Sequence, residues 1–412
     1  MSAVVPADRA AVQRRTVLVL SVAQVLGGLG VAVGIAVGGL IAADIAGTEG
    51  VAGLAQTLGV LGAALAAVPL AWLTRTRGRR AGLVSGLLTG AAGAALVVTA
   101  SAVRWLPLLF AGLLLFGSAT AAGLQARYGA TDLAEPRHSA RALATVVWAT
   151  TVGSVLGPNL TEPAGRLGEV VGLPPLAGPF LVTLAAFTVA GLVLFALLRP
   201  DPLHLAGLGT AGGQPHTGLR ASLRDLAARP RALVGLCAIA ASHVAMVSVM
   251  VMTPVHMHHV DVSLTVIGLV ISVHILGMYG FSPIVGHLAD RAGRVPVIVA
   301  GAALMALAAV VSGAAPAHDA VQLGIGLFLL GLGWSCGLVA GSALLSESVP
   351  AATRTAAQGV SDLVMNGVAA VGGSLAGVVV ALASYGWLAA GAAVLMLGIG
   401  GYAAARVRGV RT

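Results

Sequence analysis

The sequence predicts an all-α integral membrane protein, with twelve transmembrane helices arranged as two pseudo-symmetric six-helix lobes. Three observations carry that prediction. Hydrophobic residues make up 58% of the 412-residue chain, charged residues only 9%, and the mean hydropathy is +0.98, whereas soluble domains carry about 25% charged residues. Apolar runs recur between short polar loops, each long enough as a helix to cross a ~30 Å hydrocarbon core and too long for the ~10-residue alternating strands of a barrel. All 23 basic residues are Arg, and with both termini cytoplasmic only Arg104 and Arg166 lie outside, leaving 23 − 2 = 21 inside. Such an asymmetry sets orientation. It also makes the net charge of +9 a matter of topology, with the lipid bilayer as partner and no nucleic acid.

Each span follows from its flanks. Span one, 17–43, leads out of a basic tail ending in Arg14 and Arg15, and is too long for a cleavable signal peptide, so it is retained. Span two, 51–73, stops at T-R-T-R-G-R-R; spans three and four, 81–102 and 105–128, lie on either side of Arg104. D-L-A-E-P-R-H-S-A-R, Asp132 to Arg141, precedes span five at 141–161, and span six runs over 176–198. Arg199 to Arg231 is the longest polar segment and is rich in Gly, Pro and Arg, a linker between lobes 1–198 and 232–412. The second lobe repeats the count with spans at 232–256, 264–287, 295–314, 320–346, 356–382 and 386–405. Cys237 and Cys336 both sit in apolar runs, which excludes a disulfide framework or a C-x-x-C metal site and leaves packing. No nucleophile-base set and no phosphate loop occurs, so an enzyme is not expected.

The two halves share more than a count. P-L-A-W-L-T-R-T-R-G-R-R after span two and V-G-H-L-A-D-R-A-G-R after span eight match with Gly78 on Gly293, an offset of 215. Repeated halves joined by a linker are the sequence sign of a two-lobed transporter. On these residues the chain resembles the major facilitator superfamily over essentially its whole length. G-H-L-A-D-R-A-G-R fits that family's loop signature, with Gly286, Asp290, Arg291, Gly293 and Arg294 in place. The resemblance implies alternating access, with this loop latching the cytoplasmic ends in the outward-facing state. The N-terminal copy carries Thr74 where the acid would stand, and G-S-V-L-G-P (Gly153 to Pro158) on span five looks like the core of the family's antiporter motif.

Soft donors are confined to one half. M-V-S-V-M, Met246 to Met250, lies on span seven and H-I-L-G-M, His274 to Met278, on span eight; residues four apart share a helix face. Met246 stands 13 residues after Leu233 and His274 stands 13 before His287, so both lie ~20 Å from the same membrane surface at ~1.5 Å per residue. A shuffled chain of this composition would hold each pair about 0.2 times and both about 0.04 times. Shifting by 215 places Val31, Ile35, Gly59 and Ala63 at the four positions, so the first half keeps the fold and lacks every donor. Thioethers suit Cu(I), whereas imidazole, carboxylate and water suit harder ions. The pair of motifs, 24 residues apart from Met250 to His274, resembles that of the CcoA-type copper importers of the superfamily. The resemblance implies copper import as Cu(I) across the bacterial inner membrane, with Met246, Met250, His274 and Met278 as copper-binding residues. Close relatives that carry organic molecules such as riboflavin share the fold and lack these motifs, so a carrier of a small organic solute or drug stands as the alternative.

Further along span seven, M-T-P-V-H-M-H-H-V-D, Met252 to Asp261, reaches the outer end. His243, Met246, Met250 and Met257 fall on one stripe at offsets 0, 3, 7 and 14. His243, His256, Met257, His258 and His259 form an expected relay that collects metal and hands it inward. Asp362 is a carboxylate well inside span eleven, a place for an ion or proton relay; pairing with Asn366 or a helix end is the structural alternative. Copper is expected as cargo, with no cofactor, in a monomer.

Overall fold

The computed structural model describes residues 6–48, 51–207, 219–258 and 264–408. Among them all regular structure is helical, and twelve helices are long and apolar enough to cross a membrane. In chain order the α-helices, short ones included, are α1 (Pro6–Ala46), α2 (Ala52–Arg77), α3 (Arg79–Val103), α4 (Leu106–Gly129), α5 (Ser139–Asn159), a short α6 (Thr161–Val170) and α7 (Gly178–Leu197). Then come α8 (Pro202–Leu205), α9 (Leu219–Ala227), α10 (Pro230–His258), α11 (Leu264–Ile275), α12 (Ser282–Ala292), α13 (Arg294–Gly313), α14 (Ala320–Ser348), α15 (Arg354–Leu382) and α16 (Tyr385–Arg408).

The apolar runs become these helices, and what differs lies at their edges. Three short helices have no span-length apolar run. α6 is an amphipathic helix of ten residues, nearly three turns, with Glu162 in its first turn and an Arg166–Glu162 pair one turn on. α8 begins inside the expected linker because the Asp201 carboxylate accepts from the Leu203 N–H and Pro202 supplies a preset first turn. α9 buries Ser222 and Leu226, one turn apart. Span eight is interrupted: a π-helical turn, Leu276–Gly280, joins α11 to α12. Pro283 has no N–H to give the Tyr279 carbonyl four residues back, and the Ser282 hydroxyl donates to that oxygen instead, at 2.7 Å.

The chain folds into two compact units. One contains Met1–Ala134, Ala149–Thr217 and Ala351–Leu363; the other contains Glu135–Trp148, Gly218–Pro350 and Val364–Thr412. Each unit therefore takes the start of one helix, α5 or α15, from the opposite half of the sequence.

The internal repeat is visible in the backbone. Gly78 and Gly293 hold φ of +96° and +99° in the tight turns before α3 and α13, a region costly for any residue with a Cβ. Burial also corrects the register of the N-terminal loop. With Gly78 on Gly293, Thr74 falls on Ala289, both fully buried, and the position of Asp290 falls on half-exposed Arg75 rather than on Thr74. The same offset of 215 carries Arg79 onto Arg294 and Asp132 onto Glu347. Both are ion pairs, Arg79–Asp132 at 2.8 Å and Arg294–Glu347 at 2.8 Å. Burial pushes the Asp132 carboxyl above its ordinary range, against the pull of the Arg79 guanidinium.

Glycines permit the tightest helix crossings. A Cβ at Gly153 or Gly157 would strike α1 at Val25, Leu29 or Ala32, so the antiporter-like G-S-V-L-G-P stretch has a packing role between α5 and α1.

Candidate functional site

The expected donors lie in one unit, on α10 and on the α11–π-turn segment, and both segments pack against α14. Met246 and Met278 are buried, and Met250 is half-buried. Gly277 and Gly331 let the π-turn and α14 meet backbone to backbone. A Cβ on Gly331 would stand 2.5 Å from the His274 oxygen and 2.8 Å from the Met278 nitrogen, and one on Gly277 would strike the Phe328 oxygen.

His274 is fully buried, with Nδ1 2.7 Å from the Leu327 carbonyl oxygen. A carbonyl only accepts, so Nδ1 carries the proton and donates. The lone pair is then on Nε2, which is buried and has no hydrogen-bond partner. This is the tautomer of a metal-ligating histidine, whose second nitrogen is fixed by a carbonyl. Among the described residues no group of three or more His, Cys, Asp or Glu could hold a metal ion.

His243 takes the opposite tautomer. The indole Nε1–H of Trp334 donates to its Nδ1 at 3.0 Å, so in the neutral ring the proton is on Nε2. Trp334 in turn meets the edge of Tyr279, centroids 5.5 Å apart at 86°. The chain His243–Trp334–Tyr279 thus joins the α10 stripe to the π-turn that carries Met278. Tyr279 and Trp334 lacked any motif in the sequence. At the far end of α10, His256 stacks on Tyr385 at 4.5 Å and 11°, with its Nε2 buried and unpartnered. The Thr253 and Tyr385 hydroxyls are 2.8 Å apart and Met257 is fully buried. His259 and the side chain of His258 lie outside the described residues.

Asp362 on α15 forms an ion pair with the last turn of α4. Its Oδ1 accepts from Arg127 Nη2 of α4 at 2.7 Å, with both side chains buried. Arg127 also lies over the Tyr128 ring at 4.4 Å. The sequence hid Arg127 because it stands at the end of an apolar run, where an Arg reads as a loop residue. The only available signal was Asp362 itself, since a carboxylate inside a span calls for a partner.

In the gating loop, the Asp290 carboxylate receives the first N–H groups of α5, from Ala140 at 3.1 Å and Arg141 at 2.9 Å. An acid at a helix N-terminus meets the positive end of its dipole. Arg294 braces the acid at 2.9 Å and donates to the Pro136 carbonyl at 2.7 Å and to Glu347. Gly286 is the floor on which α5 rests, since a Cβ there would stand 2.7 Å from the Ala140 oxygen. Arg291 is exposed and Gly293 supplies the positive-φ turn.

A family model described as Major Facilitator Superfamily matches residues 20–260 and 235–409. The chain is 40% identical over 382 residues to a protein of Bacillus subtilis (strain 168) described as the uncharacterized MFS-type transporter YdeG, spanning 92% of this chain and 89% of that one. It is 28% identical over 382 residues to the riboflavin transporter RfnT of Brucella anthropi, spanning 91% and 90%. Among solved structures, a bacterial homologue of the iron transporter ferroportin in the outward-facing state has the same fold, with a TM-score of 0.73 at 16% identity over 95% of this chain and 98% of that one. The repeated loop, the paired Arg–acid contacts and the twelve spans are thus those of a multi-pass membrane transporter, and the chain belongs to the major facilitator superfamily.

Proposed function

We propose that the protein imports copper as Cu(I) across the bacterial inner membrane by alternating access, with Met246, Met250, His274 and Met278 as ligands. It works as a monomeric carrier rather than an enzyme, with both termini cytoplasmic and copper as cargo, without a cofactor. The observation that carries this reading is His274, a buried imidazole whose Nδ1–H is held by Leu327 and whose Nε2 lone pair is unpartnered. An orphaned buried polar atom is costly, and a soft cation beside thioethers would satisfy it. His256 and Met257, with His258 and His259 beyond them, would pass metal inward. Asp290 and its α5 contacts would gate the cycle between lobes 1–198 and 232–412, and the Arg127–Asp362 pair would couple it.

A second reading has an observation of its own. The relative named as a riboflavin transporter favours an organic solute, with the four residues as packing. One experiment separates the two. The purified protein is titrated with Ag(I) as a redox-inert mimic of Cu(I), with Zn(II), and with riboflavin, beside the Met250→Leu/Met278→Leu variant. That exchange keeps volume and costs under about 1.5 kcal/mol per site. Copper import requires Ag(I) to bind well above Zn(II) and to lose at least about tenfold in the double variant, since two of four ligands are gone. Riboflavin binding with no Ag(I) binding would establish the organic-solute reading instead.

A further inference from the structure

Away from the metal-site candidates, at the end of the first unit where α3 begins and α7 stops, two guanidiniums converge on one ring. Arg80 Cζ lies 5.6 Å and Arg199 Cζ 5.4 Å from the centroid of Phe195. Among the described residues this is the one ring shared by two cations. Among the described residues neither guanidinium has an acidic partner. The nearby carboxylate, Asp201, is already committed to backbone: Oδ1 takes the N–H of Arg79 at 3.1 Å and of Leu203 at 3.0 Å, and Oδ2 takes the N–H of Arg80 at 2.8 Å. Both Cζ atoms stand within 5.6 Å of one centroid, so they are at most about 11 Å apart, about one screening length in dilute salt, and an anion reaching both would offset their like charge.

Below the cations the surface is apolar. Phe195, Leu192 and Val189 are 52%, 56% and 47% exposed along one stripe of α7. Beside them Gly191 has no side chain, and Leu88 of α3, 43% exposed, reaches over the gap so that a Cβ on Gly191 would stand 3.2 Å from its Cδ2. Arg80 and Leu88 are on one helix, ~12 Å apart at 1.5 Å per residue. Two cations above an exposed apolar stripe complement a phosphate head with an acyl chain attached, and basic pockets between transmembrane helices select such head groups.

We propose that Arg80, Arg199 and Phe195 form a binding site for one anionic phospholipid, its phosphate at the two guanidiniums and an acyl chain along the exposed Phe195, Leu192 and Val189. The site is independent of what the transporter carries.

The test uses the full-length protein in a neutral detergent. Retained lipid is counted by native mass spectrometry, and the melting midpoint is followed on titration with phosphatidylglycerol, with phosphatidylcholine of the same chain length, and with sn-glycerol 1-phosphate. Phosphatidylglycerol should be retained and should raise the midpoint, with phosphatidylcholine and the chainless phosphate doing neither. Arg80→Gln/Arg199→Gln should weaken phosphatidylglycerol about 25-fold, from about fivefold per basic residue. Phe195→Leu, which keeps much of the apolar volume, should weaken it less, and Arg166→Gln on α6 should leave it unchanged. Equal retention of phosphatidylglycerol by wild type and the double Gln variant would overturn the site, as would equal response to phosphatidylcholine. A response to glycerol phosphate matching that to the lipid would overturn the lipid as occupant and leave a soluble-anion site. If the double variant does not fold, the two single Gln variants must each lose affinity, or the proposal fails.

Discussion

Removing one charge from the Arg127–Asp362 pair has a cost that does not depend on transport. Asp362→Asn leaves the Arg127 guanidinium buried and uncompensated, which costs about 3–5 kcal/mol, so the melting midpoint should fall by several degrees; Arg127→Gln/Asp362→Asn should recover most of that loss. The recovered double variant separates the roles. A coupling pair predicts that it binds substrate normally but no longer accumulates it when a proton gradient is imposed; a purely structural pair predicts normal accumulation. At the metal-site candidates, His274→Ala should reduce Ag(I) affinity while leaving the protein in the membrane. Sequence made half of each arrangement legible. Asp362 and His274 stand out because ionisable side chains are rare inside apolar runs. Arg127 does not, since its partner lies 235 positions away and helix ends ordinarily carry Arg. Leu327 could not be found at all, because a backbone carbonyl leaves no trace in a sequence.

Between residue and fold, the elements that matter most are those whose backbones touch. Gly331→Ala puts a methyl group against the His274 and Met278 backbone and should cost about 1–3 kcal/mol by overpacking, visible as a lower melting midpoint together with weakened Ag(I) binding. Gly301→Ala, against Cys336 and Gly333 on a different crossing, should lower the midpoint without selectively weakening Ag(I). Asp290→Asn removes the negative charge that receives α5, so transport velocity should drop severalfold while equilibrium affinity for substrate stays the same. Unchanged kinetics would exclude a gating role for the loop. Most spans were legible to within about five residues because membrane length and hydropathy fix them, whereas α1 begins at Pro6, well before the expected start at 17, because its basic first turns continue the helix. The π-turn was not. It depends on Pro283, which reads as a simple kink, and on whether Ser282 can take up the Tyr279 carbonyl, a local choice that periodicity does not record. α6, α8 and α9 escaped for a related reason, since a search for twenty-residue apolar runs passes over helices of four to ten residues.

For the molecule as a whole, the Arg distribution makes a prediction about sidedness. In a background lacking Cys237 and Cys336, Arg220→Cys should react with a membrane-impermeant maleimide only in inside-out vesicles, and Arg166→Cys only in intact cells; the reverse pattern would invert the topology. The family was legible from the repeated loop, whereas the substrate was not, since four donors of two types and a spacing say nothing about how closely the side chains converge. The segments exchanged between the units have a consequence for gene fission. Were the chain expressed as two polypeptides broken within 208–218, the C-terminal fragment would carry Asp290 and Arg294 without Ala140, Arg141 or Pro136, and the N-terminal fragment would carry Arg127 and Arg79 without Asp362 or Gln358. Each fragment alone would be a substrate for membrane quality-control proteases, and co-expression should rescue both together, so that neither half-gene can be inherited usefully without the other.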